Sequence, residues 1–152
     1  MLLELPAEAI IPDLKASTRD DVLAELSANV VSRYPELAGD EIVRILKERE
    51  QLGSTGIGDG VAIPHGKLRN FCLEPVLVFG RSIKGVDFNS LDARRAHLFF
   101  LILASDAAVD THLRMLARIS RILKDPSVRK AILDAADSGT IHAIISEQER
   151  RF

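Results

Sequence analysis

A histidine stands between a proline and a glycine at Pro64-His65-Gly66, directly after Gly60-Val61-Ala62-Ile63. Proline fixes φ at about −65° and pushes the residue before it into extended backbone. Glycine brings no Cβ against the ring and tolerates positive φ. A histidine so placed can sit at a strand end with a rigid backbone and one ring nitrogen open. A nucleophile that accepts a group such as phosphoryl in line needs that access and that fixed direction. A histidine that only turns the chain has the same local sequence, so both readings stand at this level.

Three other groups could assist such chemistry. His112 falls in the first turn of an expected helix, where free N–H groups and the helix dipole favour an anion; a polar residue on a solvated turn looks the same. Arg49, within Lys47-Glu48-Arg49-Glu50, precedes a glycine-rich stretch and could form charge-assisted bonds to a phosphate on His65. A charged helix end is the plain alternative. Ser54 and Thr55 could give hydroxyls to the same group, or only shape a turn. His97 opens an apolar strand and reads as structural, and His142 reads as surface. Neither has ligands at metal spacing, so no metal site is expected.

The glycines invite nucleotide readings that fail. Five residues separate Gly60 from Gly66 where a P-loop has four, and Leu68 stands where a magnesium-binding hydroxyl belongs. A dinucleotide fingerprint follows a strand and opens a helix, whereas this segment follows a helix and leads into a strand.

The elements that must position these residues are legible in outline. Thr18-Arg19-Asp20-Asp21 reads as a capping box, followed by Val22, Leu26 and Val30 at helical spacing. After Pro35, Asp40 is read as the cap of a second helix with Ile42, Ile45 and Leu46 inward and Gly53 as its stop. Glycines 56, 58, 60 and 66 then give turns, with a short strand over residues 61–63. Val76-Leu77-Val78-Phe79 and Leu98-Phe99-Phe100-Leu101-Ile102-Leu103 are apolar at every position, as strands covered on both faces are. A third helix starts at Asp110 or Thr111, Asp125-Pro126-Ser127 starts a fourth, and Ser138 is read as the cap of the last. Helices, strands, then helices around a doubly covered sheet predict a three-layer α/β sandwich, with residues 1–152 as a single domain.

Composition excludes several classes. A net charge of −2 gives no reason to expect nucleic acid or an anionic membrane as partner. The one cysteine, Cys72, excludes an internal disulfide and a thiolate metal site and suits a reduced compartment. Met1-Leu2-Leu3-Glu4-Leu5-Pro6 lacks the features of a signal peptide, and the longest apolar run, residues 98–104, is too short to span a bilayer. A cytoplasmic location without membrane insertion is therefore expected.

The segment from Arg49 to Gly66 resembles the active-site signature of IIA domains of the bacterial phosphotransferase system, fructose/mannitol type. That signature asks for an acidic or amide residue, six arbitrary residues, an apolar and a small residue. Two arbitrary residues, apolar-Ala-apolar, and Pro-His before a small residue follow. Glu50, Ile57, Gly58, Val61, Ala62, Ile63, Pro64, His65 and Gly66 fill those places. Gly85-Val86-Asp87-Phe88 with Asp92 resembles the family's mid-chain motif, and His112-Leu113 through Ser120 its second-histidine helix. The resemblance implies a mixed sheet flanked by helices and a phosphoryl group carried on His65 Nε2. Arg49 and His112 would stand beside it as catalytic residues, with backbone N–H groups of the glycine-rich loop around them. It implies no cofactor, an HPr-like phosphohistidine donor, and either a regulatory target protein or a IIB component downstream. Since no IIB, HPr-like or membrane segment is fused to it, the chain looks most like the nitrogen-regulatory IIA proteins. A sugar-specific IIA component is the alternative. An interaction switch that never passes the group on, and a two-histidine hydrolase, are the other classes weighed.

Overall fold

The computed structural model describes residues 5–69 and 74–151. Cys72 and the first four residues, which carried the expectations about thiols and a leader, lie outside the described residues.

Within them, a six-stranded mixed sheet runs in the order β1-β5-β6-β3-β2. The strands are β1 (Ile10–Ile11), β2 (Gly56–Gly58), β3 (Val61–Ala62), β4 (His65–Leu68), β5 (Val76–Val86) and β6 (Ala96–Ser105), with β4 also paired to β6. Helices α1 (Arg19–Arg33) and α2 (Gly39–Gln51) precede β2, and α3 (Val109–Lys124), α4 (Pro126–Asp134) and α5 (Ser138–Arg150) follow β6. The central antiparallel pair β5·β6 keeps one register from Val76↔Leu103 to Arg81↔Leu98, then shifts before Val86↔Ala96.

Side-chain alternation divides two cores. Leu77, Phe79, Phe100 and Ile102 pack with Met115, Ile119, Ile132 and Ile141 of α3, α4 and α5. Val76, Val78, Phe99 and Leu101 pack with Val22, Leu26, Ile42 and Leu46 of α1 and α2. Helices cover both faces, which is why the two strands carry no polar alternation. The three-layer arrangement is the one expected.

Local signals held where one side chain had no competitor. Thr18 accepts from the Asp21 N–H at 3.2 Å and caps α1; Asp125 caps α4, with Pro126 opening it. Two caps differ from expectation. The second helix begins at Gly39 after Ala38, so Asp40 lies in the first turn. Ala38 is the last extended residue (φ −87°, ψ 110°), and a Cβ on Gly39 would make only ordinary contact with Val31 Cγ2, at 3.4 Å. At the last helix Asp137, not Ser138, takes the Thr140 N–H at 2.8 Å.

Arg81 ties the layers together from a buried position, 4% exposed. Its guanidinium donates to the carbonyls of Pro12 (2.9 Å), Ile132 (2.9 Å), Leu133 (3.3 Å) and Ala135 (2.6 Å), closing the C-terminal end of α4. Replacing it leaves those acceptors without their donor. Arg81→Met is expected to lower unfolding free energy by about 3–4 kcal/mol in urea titration; a loss under about 1 kcal/mol would show that the carbonyls find other donors.

Candidate functional site

Strands β3 and β4 are one interrupted strand. Val61 pairs with Leu98 and His65 with Ile102, the same offset, so the break at Ile63-Pro64 costs no register. Pro64 supplies a carbonyl to Ile102 N at 3.0 Å and has no N–H to give. Ile63 N turns the other way, to Thr55 O at 3.0 Å. The Ile63 carbonyl is thereby left to accept from His65 Nδ1 at 2.8 Å. A carbonyl only accepts, so Nδ1 carries the proton and Nε2 the free lone pair. Arg49 agrees from the other side, donating its Nε–H to His65 Nε2 at 3.3 Å.

Sheet alternation turns His65 toward the α3 face, as it does Val61 and Ile63. Gly66 faces α2. A Cβ there would lie 2.8 Å from Ile45 Cγ2, so this glycine serves close helix approach and not positive φ. The C-terminal end of α2, bearing Arg49, can therefore reach the imidazole. Arg49 is anchored further by donating Nη1–H to the Gly53 carbonyl at 2.7 Å.

From the opposite layer α3 brings His112, with ring centroids 5.2 Å apart and planes at 63° to His65. His112 is 4% exposed, and its Nδ1 has no hydrogen-bond partner among the described residues. Burial, then the neighbouring His65 and Lys67, lowers its pKa to about 4. The His65 pKa is also lowered, chiefly by burial; the Ile63 hydrogen bond and Glu50 oppose the shift, and Arg49 and Lys67 add to it. Both imidazoles are neutral at pH 7, as a nucleophile and a neutral donor must be.

The sign of the resulting pH dependence follows. Unfolded His112 binds its proton near 6.5 and folded His112 only at about 4, so between these values the unfolded chain binds more protons. Stability is complete above pH 6.5 and falls as pH drops toward 4. The expected loss is about 2 kcal/mol after allowance for screening at the cleft mouth. Urea midpoints at pH 7 and 4.5 should fall more for the wild type than for His112→Asn. Equal falls would contradict a neutral, buried His112.

These three side chains meet in an open cleft of about 970 Å³. Its wall includes Leu52, 85% exposed, and Leu113, 58% exposed, with Leu116 beside them. On the rim Arg44 is neutralised by Glu48 at 2.9 Å and Glu41 at 3.6 Å. Lys67 and Arg69 have no carboxylate partner among the described residues, which leaves the mouth positive.

Ser54 and Thr55 do not line this cleft. Ser54 Oγ donates to Phe88 O at 2.6 Å, and Thr55 Oγ1 donates to Glu50 Oε2 at 2.5 Å. With their protons so engaged, neither hydroxyl is placed to donate to a phosphoryl group on His65. The glycine-rich turn is also elsewhere. Gly58, Asp59 and Gly60 take positive φ in the β2–β3 hairpin, and Asp59 N donates to Asp92 Oδ2 at 3.0 Å. Its N–H groups therefore lie outside the cleft wall. His97 Nδ1 bonds the Ser82 carbonyl at 2.9 Å, a strand-end role as expected. Sequence reasoning missed the Ile63 carbonyl, Lys67 and the exposed leucines. No group of three or more potential metal ligands exists among the described residues, nor a helix long and apolar enough to cross a membrane.

A sequence model of the family described as "Phosphoenolpyruvate-dependent sugar phosphotransferase system, EIIA 2" matches residues 4–148. A nitrogen regulatory protein of Bradyrhizobium diazoefficiens is 38% identical over 143 residues, covering 91% of this chain and 90% of that protein. The fructose-specific EIIABC component of Bacillus subtilis is 37% identical over 141 residues, 82% of this chain but 22% of that longer protein. The crystal structure of nitrogen regulatory protein IIA-Ntr from Neisseria meningitidis superposes with a TM-score of 0.83 at 28% identity, covering 92% of this chain and 94% of that one.

Proposed function

This chain belongs to the EIIA 2 family of the phosphoenolpyruvate-dependent sugar phosphotransferase system, and from that membership we propose that it carries a phosphoryl group on His65 Nε2. The single observation that carries the assignment is the bond from His65 Nδ1–H to the Ile63 carbonyl, which leaves Nε2 as the lone pair facing the cleft.

The donor is an HPr-like protein with its own phosphohistidine. Nε2 attacks phosphorus, the new N–P bond forms as the donor's N–P bond breaks, and the donor imidazole recovers the electron pair. The Nδ1 proton stays where it is, so no base is needed. Arg49 must first release Nε2. Its guanidinium, still tethered through Gly53 O, then meets the equatorial oxygens of a loose transition state. His112 donates an N–H to the same oxygens, giving its buried imidazole a polar partner. Leu52 and Leu113 supply the apolar contact ring for the donor, and Lys67 and Arg69 draw in its negative phosphoryl group. A phosphoramidate donor needs no metal or nucleotide, and such a carrier works in the cytoplasm.

Downstream, a regulatory target whose affinity depends on the phosphate is favoured by the nitrogen regulatory relatives, one matched over 91% of this chain and 90% of its own length. Transfer to a IIB component is the second reading, supported by the fructose-specific relative. The chain loaded with radiolabelled phosphate from a phosphorylated HPr-type donor should hold one acid-labile phosphate. Rapid loss of label to a IIB protein would favour transport; retention with phosphate-sensitive capture of a regulator would favour control. Absence of labelling would refute the carrier.

A further inference from the structure

The buried stripe of α2 runs Ile42, Leu46, Glu50 at four-residue spacing, so a carboxylate occupies a position where an apolar side chain is the usual filling. Glu50 is 4% exposed. Both of its side-chain hydrogen bonds among the described residues go to Thr55: the N–H reaches Oε1 at 3.0 Å and the hydroxyl reaches Oε2 at 2.5 Å. A buried carboxylate that grips one residue twice fixes that residue's backbone.

Thr55 passes this constraint on. Its carbonyl accepts the Ile63 N–H at 3.0 Å, and the Ile63 carbonyl, on the far side of the same residue, accepts from His65 Nδ1 at 2.8 Å. Pro64 stiffens the step between them. We infer that Glu50 is a positioning residue for His65, acting through Thr55 and Ile63 to hold the imidazole in the Nδ1–H tautomer. Nothing in the chain of bonds requires its charge. A glutamine carbonyl can accept the Thr55 N–H while its amide donates to a reversed Thr55 hydroxyl. Glu50 also opposes the lowering of the His65 pKa, so removing the charge alone should lower the imidazole's proton affinity without changing its tautomer.

The inference rests on the carrier reading, but the two can fail separately, because the tautomer is read without any phosphoryl transfer. In the full unphosphorylated chain, ¹⁵N shifts of the His65 ring at pH 8 report the proton's position. Glu50→Gln is expected to keep Nδ1–H and to accept phosphoryl within about threefold of the wild-type rate. Glu50→Leu should give mixed tautomers and a rate lower by on the order of tenfold or more. If Glu50→Leu does not fold, Thr55→Val carries the test, since it keeps one of the two bonds and should show partial mixing. Pure Nδ1–H in folded Glu50→Leu, or in Thr55→Val where the former is unfolded, would overturn the assignment. So would mixing in Glu50→Gln equal to that in Glu50→Leu, which would put charge in place of geometry. A chain with the expected tautomers that takes no phosphate would instead refute the carrier reading alone.

Discussion

His65→Ala is expected to take phosphoryl acceptance to background, a loss on the order of 10⁴-fold or more, in a chain that still folds. The imidazole is half-buried at the start of β4 and makes one bond to the Ile63 carbonyl and one to Arg49, so its removal should cost about 1 kcal/mol of stability. His112 cannot substitute. It is 4% exposed with Nδ1 buried, so it presents far less of its ring to a donor's phosphorus than the half-buried His65. His112→Gln should by contrast keep labelling, slowed by roughly 10–100-fold, because it removes an oxyanion donor and leaves the nucleophile. Equal labelling of His65→Ala and wild type, measured with a phosphorylated HPr-type donor, would end the proposal.

Arg49 carries the second large effect, and two of its consequences run in opposite directions. In the resting chain it donates to Nε2 and helps to lower the His65 pKa. Arg49→Met should therefore raise the His65 midpoint and make the lone pair more basic. Transfer should nevertheless slow by on the order of 10³-fold, because nothing then meets the charge on the phosphoryl oxygens. Arg49→Lys should recover little of this, since an ammonium lacks the planar fork and loses the anchor to Gly53 O. Single-turnover transfer with an imidazole titration on the same variants separates the two effects. If transfer tracked basicity and rose in Arg49→Met, the guanidinium would be an inhibitor of the resting state and not a catalytic group.

How far the sequence carried this reading depended on whether a signal was local. The cap at Thr18, the apolar runs that became β5 and β6, and the Pro-His-Gly triplet each follow from neighbouring residues. Those runs also predicted cover on both sheet faces, which the division of Phe79 and Phe99 between two cores bears out. The strands at residues 10–11 and 65–68 were not legible, because two residues carry no pattern and a proline interrupts the other. Ser54 and Thr55 pointed toward phosphate by type alone. Phe88 and Glu50, distant or facing another way, claim their protons instead. Asp137 and Ser138 are rival caps in adjacent positions; the sequence reading took Ser138, whereas the Asp137 side chain accepts the Thr140 N–H.

Glu50 was placed in the signature by resemblance, but its inward position on α2 was not read. Its four-residue spacing from Leu46 placed a carboxylate on the inward stripe of α2, yet Lys47-Glu48-Arg49-Glu50 looked like a solvated run. Helical periodicity separates the four. Lys47 and Glu48 are exposed, Arg49 turns to the cleft, and Glu50 enters the core.

The most direct measurement is heteronuclear NMR of the phosphorylated, ¹⁵N-labelled chain, in which a ³¹P–¹⁵N coupling identifies the bonded ring nitrogen. Coupling to Nε2 of His65, with the proton still on Nδ1 against the Ile63 carbonyl, is the expected result. Coupling to Nδ1 of that ring, or to either nitrogen of His112, would contradict it.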